Sequence, residues 1–347
     1  LLASIDPIGA MATRDDDALR KLLGEIETEN DDLKSVLESM ERDLPTLIEE
    51  GYESSGTLAE RFGVPPFSVL DARQGYWQDR KRSWLDLGIE SEAGRRDNLM
   101  QHSVASSLGK LDTSTFDPVL CELVYSWFSC LGSSVIDPFS GGSVRGVVAS
   151  KLGRRYFGVD LRAEQVEANR KQAESICEEP LPEWIVGDSC QDLPDDEFDL
   201  VFSCPPYFDL EVYGEDERDL SNAGSYEVFI ESYRTVIRES CSRLRNDRFA
   251  CFVVGEIRDS DGFYRGFVRD TLSAFLDCGM RSYNDAVLVT ALGSLPMRSA
   301  IPFEKSRKLG KTHQNVLIFC KGDPVAATEW AGDCDFGTTE EGDSLGL

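Results

Sequence analysis

The chain has 347 residues, with 36 Lys and Arg against 63 Asp and Glu, a net charge of −27 and a pI near 4.4. Its surface as a whole therefore repels polyanions, and a nucleic acid could be met only by a local basic patch. The length suits one large α/β domain plus a smaller module, each with its own core. Ten cysteines without a CxxC pair, beside two histidines, argue for reduced, mostly buried thiols in a cytoplasmic protein and against a metal site. No apolar stretch approaches a membrane span, and no signal peptide is visible. The acid excess reads as a solubility or high-salt adaptation. The first residue is Leu1 rather than Met, compatible with a fragment of something longer.

Residues 14–50 carry helical periodicity, with Leu19, Leu22, Leu23 and Ile26 on one face and Leu33, Val36, Leu37 and Met40 on another. Asn30 before Asp31 and Asp32 suits a helix start, and Pro45 interrupts the pattern. From Pro65 to Arg96 the rings Phe67, Tyr76, Trp77 and Trp84 interleave with Arg73, Arg80, Lys81, Arg82, Arg95 and Arg96. Bases beside rings can grip phosphates and stack on unpaired bases. Alternatively the tryptophans anchor the segment while the arginines snorkel, the reading favoured for Trp84 and left open for Arg80 to Arg82. Residues 97–115 are polar and read as a mobile connection.

From Phe116 the pattern becomes regular. Asp117-Pro118 reads as a helix start with proline in the first turn, and Val119 to Leu131 supplies an apolar helix. Ser134 to Phe139 is a short strand, followed by the turn Ser140-Gly141-Gly142-Ser143 and a second apolar helix. Such a cradle lets a ligand approach the backbone and offers it free N–H groups at the helix start. Asp137 there would repel a phosphate but welcome a cation, and the glycine spacing fails the dinucleotide pattern. Arg155 to Asp160 is a second strand, ending in an acid about 20 residues after the turn, where such folds hold ribose hydroxyls. Glu183 to Asp188 is a third, its terminal acid suited to an amino group.

Asp199 to Phe208 is an apolar strand stopped by Pro205 and Pro206, which remove donors and fix the backbone. The rigid corner can aim carbonyls and Cys204 at the edge of a planar group while Tyr207 or Phe208 stacks on its face. Phe208 to Gly224, with Glu211, Tyr213 and Asp219, reads as a polar lid or groove wall. Ser225 caps a helix from Tyr226 to about Leu244. Phe249 to Gly255 is a fifth strand, Phe267 to Asp277 a helix, Asn284 to Thr290 a sixth strand and Asn315 to Cys320 a seventh. The gap before the seventh reads as helix-free, which requires it to pair antiparallel with the sixth, because parallel strands need a long crossover. That gap carries Arg298, Lys305, Arg307, Lys308, Lys311 and His313 against one acid, Glu304, and reads as a phosphate grip. The acidic stretch from Asp323 has no periodicity and reads as disordered.

Asp137-Pro138-Phe139-x-Gly141 and Cys204-Pro205-Pro206-Tyr207 resemble the cofactor and catalytic motifs of S-adenosylmethionine-dependent DNA methyltransferases acting on adenine N6 or cytosine N4. The resemblance covers residues 116–323. More narrowly, Pro65 to Gly94, Cys204 to Ser221 and Lys308 to Lys321 look similar to phage-type DNA modification methylases that carry a ParB-like domain. The family implies a Rossmann-like seven-stranded α/β sheet with the last strand antiparallel, preceded by a small helical module. On that basis residues 1–55 form an acidic helical module related to the tail of a ParB-like domain, 56–115 connect, 116–323 are catalytic and 324–347 are a tail. The resemblance implies that Asp137, Pro138, Phe139, Gly141 and Gly142 serve the cofactor, Asp137 and Gly141 on its methionine side. Asp160 would take the ribose, Asp188 the adenine, and Phe116 and Asp117 belong to the same cofactor set. Cys204 and Pro205 would accept from the target amine, with Pro206 stiffening the corner and Tyr207 stacking on the base. The implied partner is double-stranded DNA with the base swung out, without metal or membrane, in a prokaryotic or phage-infected cell. A homodimer stays open.

Two departures stand out. Ser143 occupies the place of a second family glycine, and Cys204 replaces the usual Asp, Asn or Ser, which leaves adenine against cytosine undecided because a thiol is a weak acceptor. Alternatives are an RNA methyltransferase of the same fold, a cysteine nucleophile attacking a pyrimidine ring, or a DNA-binding protein whose methyltransferase part has lost activity.

Overall fold

The computed structural model describes residues 58–89, 116–208, 216–293, 295–334 and 336. The helices expected within 14–50 and the connection expected at 97–115 lie outside the described residues. The chain divides into two compact units, residues 1–66 with 335–342 and residues 67–334 with 343–347. In the first, the described residues form helix α1 (Leu58–Phe62). Gly63 follows at φ 76°, and the Phe336 ring fills the space a β-carbon would need, 2.6 Å away.

The second unit is an eight-stranded sheet flanked by helices. In chain order it runs β1 (Val69–Asp71), α2 (Gly75–Asp86), α3 (Pro118–Phe128), β2 (Ser134–Asp137), α4 (Val144–Lys151), β3 (Arg155–Asp160), α5 (Ala163–Ile176) and β4 (Glu183–Val186). It continues through β5 (Phe198–Ser203), α6 (Tyr226–Arg243), β6 (Leu244–Val254), α7 (Phe267–Asp277), β7 (Arg281–Val289), α8 (Leu295–Ser306), β8 (His313–Lys321) and α9 (Pro324–Ala331). The strand order is β1-β7-β8-β6-β5-β2-β3-β4. β2 and β5 are buried along their whole length, as central parallel strands covered on both faces must be. β2 pairs in parallel with β3 on one side and β5 on the other. The order reverses there, which opens a crevice at the carboxyl ends of these two strands.

This is the expected Rossmann-like sheet, and β8 runs antiparallel to both β6 and β7. Three features differ from the sequence reading. An eighth strand, β1, adds to the edge in parallel with β7 through Val69 and Val287, too short to show a period of its own. The gap before β8 is not helix-free, because α8 fills it. Pro296 sits in the first turn, where no donor is needed, and Pro302 removes one ladder bond from a helix that buries none of its residues. The stretch after Asp323 is ordered as far as Ala331. Asp323 accepts from Val325 N at 3.0 Å and Pro324 opens α9, while Arg248 lies 3.4 Å over the Trp330 ring.

The aromatic and basic segment is packed onto α3 rather than standing apart. Trp77 and Trp84 are fully buried, and their indole N–H groups donate to Asp117 (3.2 Å) and Glu122 (2.8 Å). Arg80 grips Glu122 through Nε (3.1 Å) and its terminal nitrogen, and Lys81 Nζ lies 3.1 Å from Asp117. Arg82 pairs with its exposed neighbour Asp79. The anchoring reading therefore holds for both tryptophans. No helix among the described residues is long and apolar enough to cross a membrane. All ten cysteines are free thiols, none of them exposed.

Candidate active site

At the crevice between β2 and β5 lies a cavity of about 510 Å³. It is lined by Phe116, Asp117, Pro138, Phe139, Gly141, Gly142, Asp160 and Asp188 on one side and by Cys204, Pro205, Pro206 and Tyr207 on the other. Two stretches far apart in sequence thus form one chamber.

The glycine turn is built as its sequence requires. Gly141 has φ 49° and open space where a β-carbon would point, so its backbone presents a bare surface to a ligand. Ser143 is right-handed at φ −72°, so no glycine is needed at that departure from the family pattern. Its hydroxyl instead bonds Gln172.

Asp137 does not line the cavity, contrary to its expected place beside the cofactor. It is fully buried, and its carboxylate accepts from Arg145 Nε (2.5 Å), Tyr156 OH (2.7 Å), Ser203 Oγ (2.5 Å) and Phe139 N (3.2 Å). Arg145 also donates to the carbonyls of Phe139 (2.7 Å) and Ser140 (3.0 Å) and stacks 4.5 Å from the Phe116 ring centre. A buried carboxylate must find partners in the protein, and Asp137 spends its lone pairs on a girder beneath the turn. Ser203 completes it, since its hydroxyl also accepts from Phe139 N at 3.2 Å. The end of β5 is thereby fixed to the turn after β2.

Asp160 and Asp188 do face the chamber. Asp160 accepts from Gly141 N (3.1 Å) and Arg162 N (2.8 Å), one on each oxygen, which leaves acceptor sites for hydroxyls. Burial pushes its carboxyl above the usual range despite those two amides and the Arg162 charge. Asp188 accepts from Cys190 N at 2.9 Å. A turn bare of side chains, two half-satisfied carboxylates and the Phe116 ring fit a ligand with a ribose, an amino-substituted ring and a cationic centre.

On the opposite wall the proline corner turns sharply. Phe208 takes φ 48°, left-handed and strained for a side-chain-bearing residue. Its ring is buried against Phe229 (5.4 Å between centroids) and Tyr226 (5.7 Å). Of the two rings read as stacking candidates, Phe208 is therefore committed to the core. Tyr207 is half-buried and lines the cavity. Its ring meets Phe267 edge-on at 6.0 Å, and its hydroxyl accepts from Gln314 Nε2 at 3.0 Å.

The basic residues divide into two sets. Arg298, Lys305, Arg307 and Lys308 are exposed on α8 or just beyond it. Lys311 is half-buried and turned towards Gly255 and Tyr207. Gln78 and Lys81 from α2, Arg145 from α4 and Gln314 from β8 also line the chamber without having been assigned to it from sequence. An arginine in the first turn of α4, eight residues after a strand-end aspartate, was the available signal for the Asp137 pair. Gln314 gave none.

No family model matches the chain. A segment of 44 residues is 43% identical to the type II methyltransferase M2.DpnII of Streptococcus pneumoniae, a match spanning 13% of this chain and 16% of that protein. Among solved structures, the chain is similar to magnesium protoporphyrin IX methyltransferase from Synechocystis PCC 6803, crystallised with SAM, at 13% identity over 62% of this chain and 86% of that one, with a TM-score of 0.41. It is similar also to a methyltransferase from Pyrococcus furiosus (15% identity, 71% and 100%, TM-score 0.42) and to TrmN from Thermus thermophilus (16%, 62% and 51%, TM-score 0.39).

Proposed function

We propose that the chain is an S-adenosylmethionine-dependent methyltransferase acting on an exocyclic amino group, adenine N6 or cytosine N4, of a DNA base swung out of its duplex. The observation that carries this reading is the shared chamber, with the glycine turn, Asp160 and Asp188 on one wall and the Cys204–Tyr207 corner on the other. A methyl donor and a planar acceptor can therefore meet without crossing solvent. The short segment 43% identical to a type II methyltransferase supports the same reading.

In it, Asp160 holds the ribose hydroxyls, Asp188 the adenine amino group, and the turn at Gly141 and Gly142 the methionine end. Lys81 is placed to meet the donor's carboxylate, its charge shared with Asp117 at 3.1 Å. The bound donor supplies an electrophilic methyl group. Tyr207 stacks on the target base while the corner carbonyls and Cys204 accept from its amine, turning the nitrogen lone pair out of the ring. Orientation and fixed dipoles suffice for this step. Transfer breaks the donor's S–CH3 bond, leaving S-adenosylhomocysteine, and the methylated amine then releases its proton to water, so the corner needs no tuned base. The Ser203 tie between the turn and the corner sets the spacing of donor and acceptor. The exposed bases around α8 face the duplex phosphates.

The test incubates the protein with methyl-labelled S-adenosylmethionine and unmodified duplex DNA, single-stranded DNA or RNA, followed by nucleoside mass spectrometry. N6-methyladenine or N4-methylcytosine in DNA is the expected product. Label only in RNA, or on a pyrimidine ring carbon, would overturn the assignment.

A further inference from the structure

Lys311 stands apart from the exposed bases around it in sequence. A β-carbon built on Gly255 would touch Lys311 Nζ at 3.6 Å, and also Tyr207 Cε1 at 3.6 Å and the Tyr207 hydroxyl at 3.7 Å. The ammonium and the stacking ring therefore flank the same bare stretch of backbone just beyond β6.

The ammonium has no hydrogen bond or ion pair with the described residues. The acid whose charge acts on it, Glu256, is engaged elsewhere, accepting from the backbone N–H groups of Gly266 (3.2 Å), Phe267 (3.2 Å) and Val268 (3.3 Å) at the start of α7. Burial pushes the Lys311 ammonium below the usual lysine range, although Glu256 pulls the other way. A half-buried ammonium with three donors and no acceptor among the described residues can give a donor to a ligand's acceptor. Phosphate-gripping lysines can stay in water, as Lys305 and Lys308 do here. Lys311 is half-buried beside the ring assigned to stack on the base, just outside the residues that line the chamber.

We propose that Lys311 binds the target base itself, donating to a ring nitrogen or carbonyl acceptor of the extruded base held against Tyr207, and so takes no part in the outer grip on the duplex. This rests on the methyltransferase reading above. It makes Lys311 a selector of the base, since an acceptor edge rather than a negative charge is recognised.

The experiment compares wild type, Lys311→Met and Lys311→Arg on unmodified plasmid DNA. Three quantities are read: methyl transfer under kcat/KM conditions, DNA affinity across a salt series, and cofactor affinity by calorimetry. Lys311→Met is expected to lower transfer at least tenfold, with cofactor affinity and the salt slope of DNA binding unchanged, and Lys311→Arg to recover part of the loss. A slope reduced by about 0.9 with a proportionate loss of affinity would make Lys311 a phosphate contact and overturn the inference. Unaltered transfer by Lys311→Met would also overturn it, as would a loss that tracks reduced cofactor affinity. Wild type that methylates no DNA would sink the parent reading and this inference with it, whereas active wild type beside an equally active Lys311→Met sinks only the latter.

Discussion

Two neighbouring rings at the proline corner divide their labour because of one backbone angle. Phe208 at φ 48° carries strain of about 1–3 kcal/mol, offset by the burial of its ring among Phe229 and Tyr226. The same turn holds Tyr207 against the chamber, where Gln314 fixes its hydroxyl. Tyr207→Ala is expected to reduce methyl transfer by about a hundredfold or more, with cofactor affinity unchanged by calorimetry. Tyr207→Phe, which keeps the ring and loses the hydroxyl that Gln314 bonds, should stay within about tenfold of wild type. Equal damage by both variants would mean that the hydroxyl matters rather than the face. The sequence named both rings but could not separate them, since adjacent residues share every local cue and only the corner's geometry sends one inward. Asp137 shows the same limit. A strand-end aspartate beside a glycine turn reads as a ligand, and it became a girder because Arg145 and Tyr156 reach it in the fold.

At the scale of elements, the sheet's centre is tied by a second buried carboxylate at the far end of the strands. Asp199 in β5 accepts from the amide and hydroxyl of Ser134 in β2, both at 2.9 Å, and from Arg245 in β6 at 2.6 Å. Burial alone would raise its carboxyl, but Ser134 and Arg245 outweigh burial and hold it below the usual carboxylate range. A carboxyl lowered in the folded state contributes stability that is present above its unfolded pKa and lost as pH falls through the folded one. Asp199→Asn is therefore expected to cost about 2 kcal/mol at pH 7 in denaturant unfolding. That deficit should shrink as pH drops below the ordinary carboxylate range, where wild type becomes protonated too. A deficit that stayed constant throughout acid titration would show that charge is not what ties the three strands. The strands themselves were legible as apolar runs ending in acids. Helix α8 was not, because its two prolines and the absence of a buried face remove both signals by which helices are read.

For the whole molecule, a net charge of −27 means that duplex DNA is repelled everywhere except where bases cluster. In the function proposed above, Arg298, Lys305, Arg307 and Lys308 provide that cluster, on and just beyond an exposed helix whose apolar side chains Met297 (81% exposed) and Ile301 (63%) also face water. Neutralising Lys305, Arg307 and Lys308 together is expected to weaken DNA binding and make its salt dependence shallower, by roughly 0.9 in slope for each phosphate that is no longer neutralised. Cofactor affinity should not change. An unaltered slope in a binding titration would move the phosphate grip to another face.

What the sequence determined by itself was whatever depends on near neighbours along the chain: the alternation of strands and helices, acids at strand ends, the glycine turn and the proline-stiffened corner. Tertiary structure alone decided which of those acids face the chamber, which of the two corner rings lines it, that α2 and β1 belong to the same unit as the sheet, and that Lys311 is half-buried while its basic neighbours stay in water. The physical reason is that apolar periodicity reports the face an element buries, whereas a side chain's role depends on partners dozens of residues away, brought within hydrogen-bonding reach only when the sheet assembles.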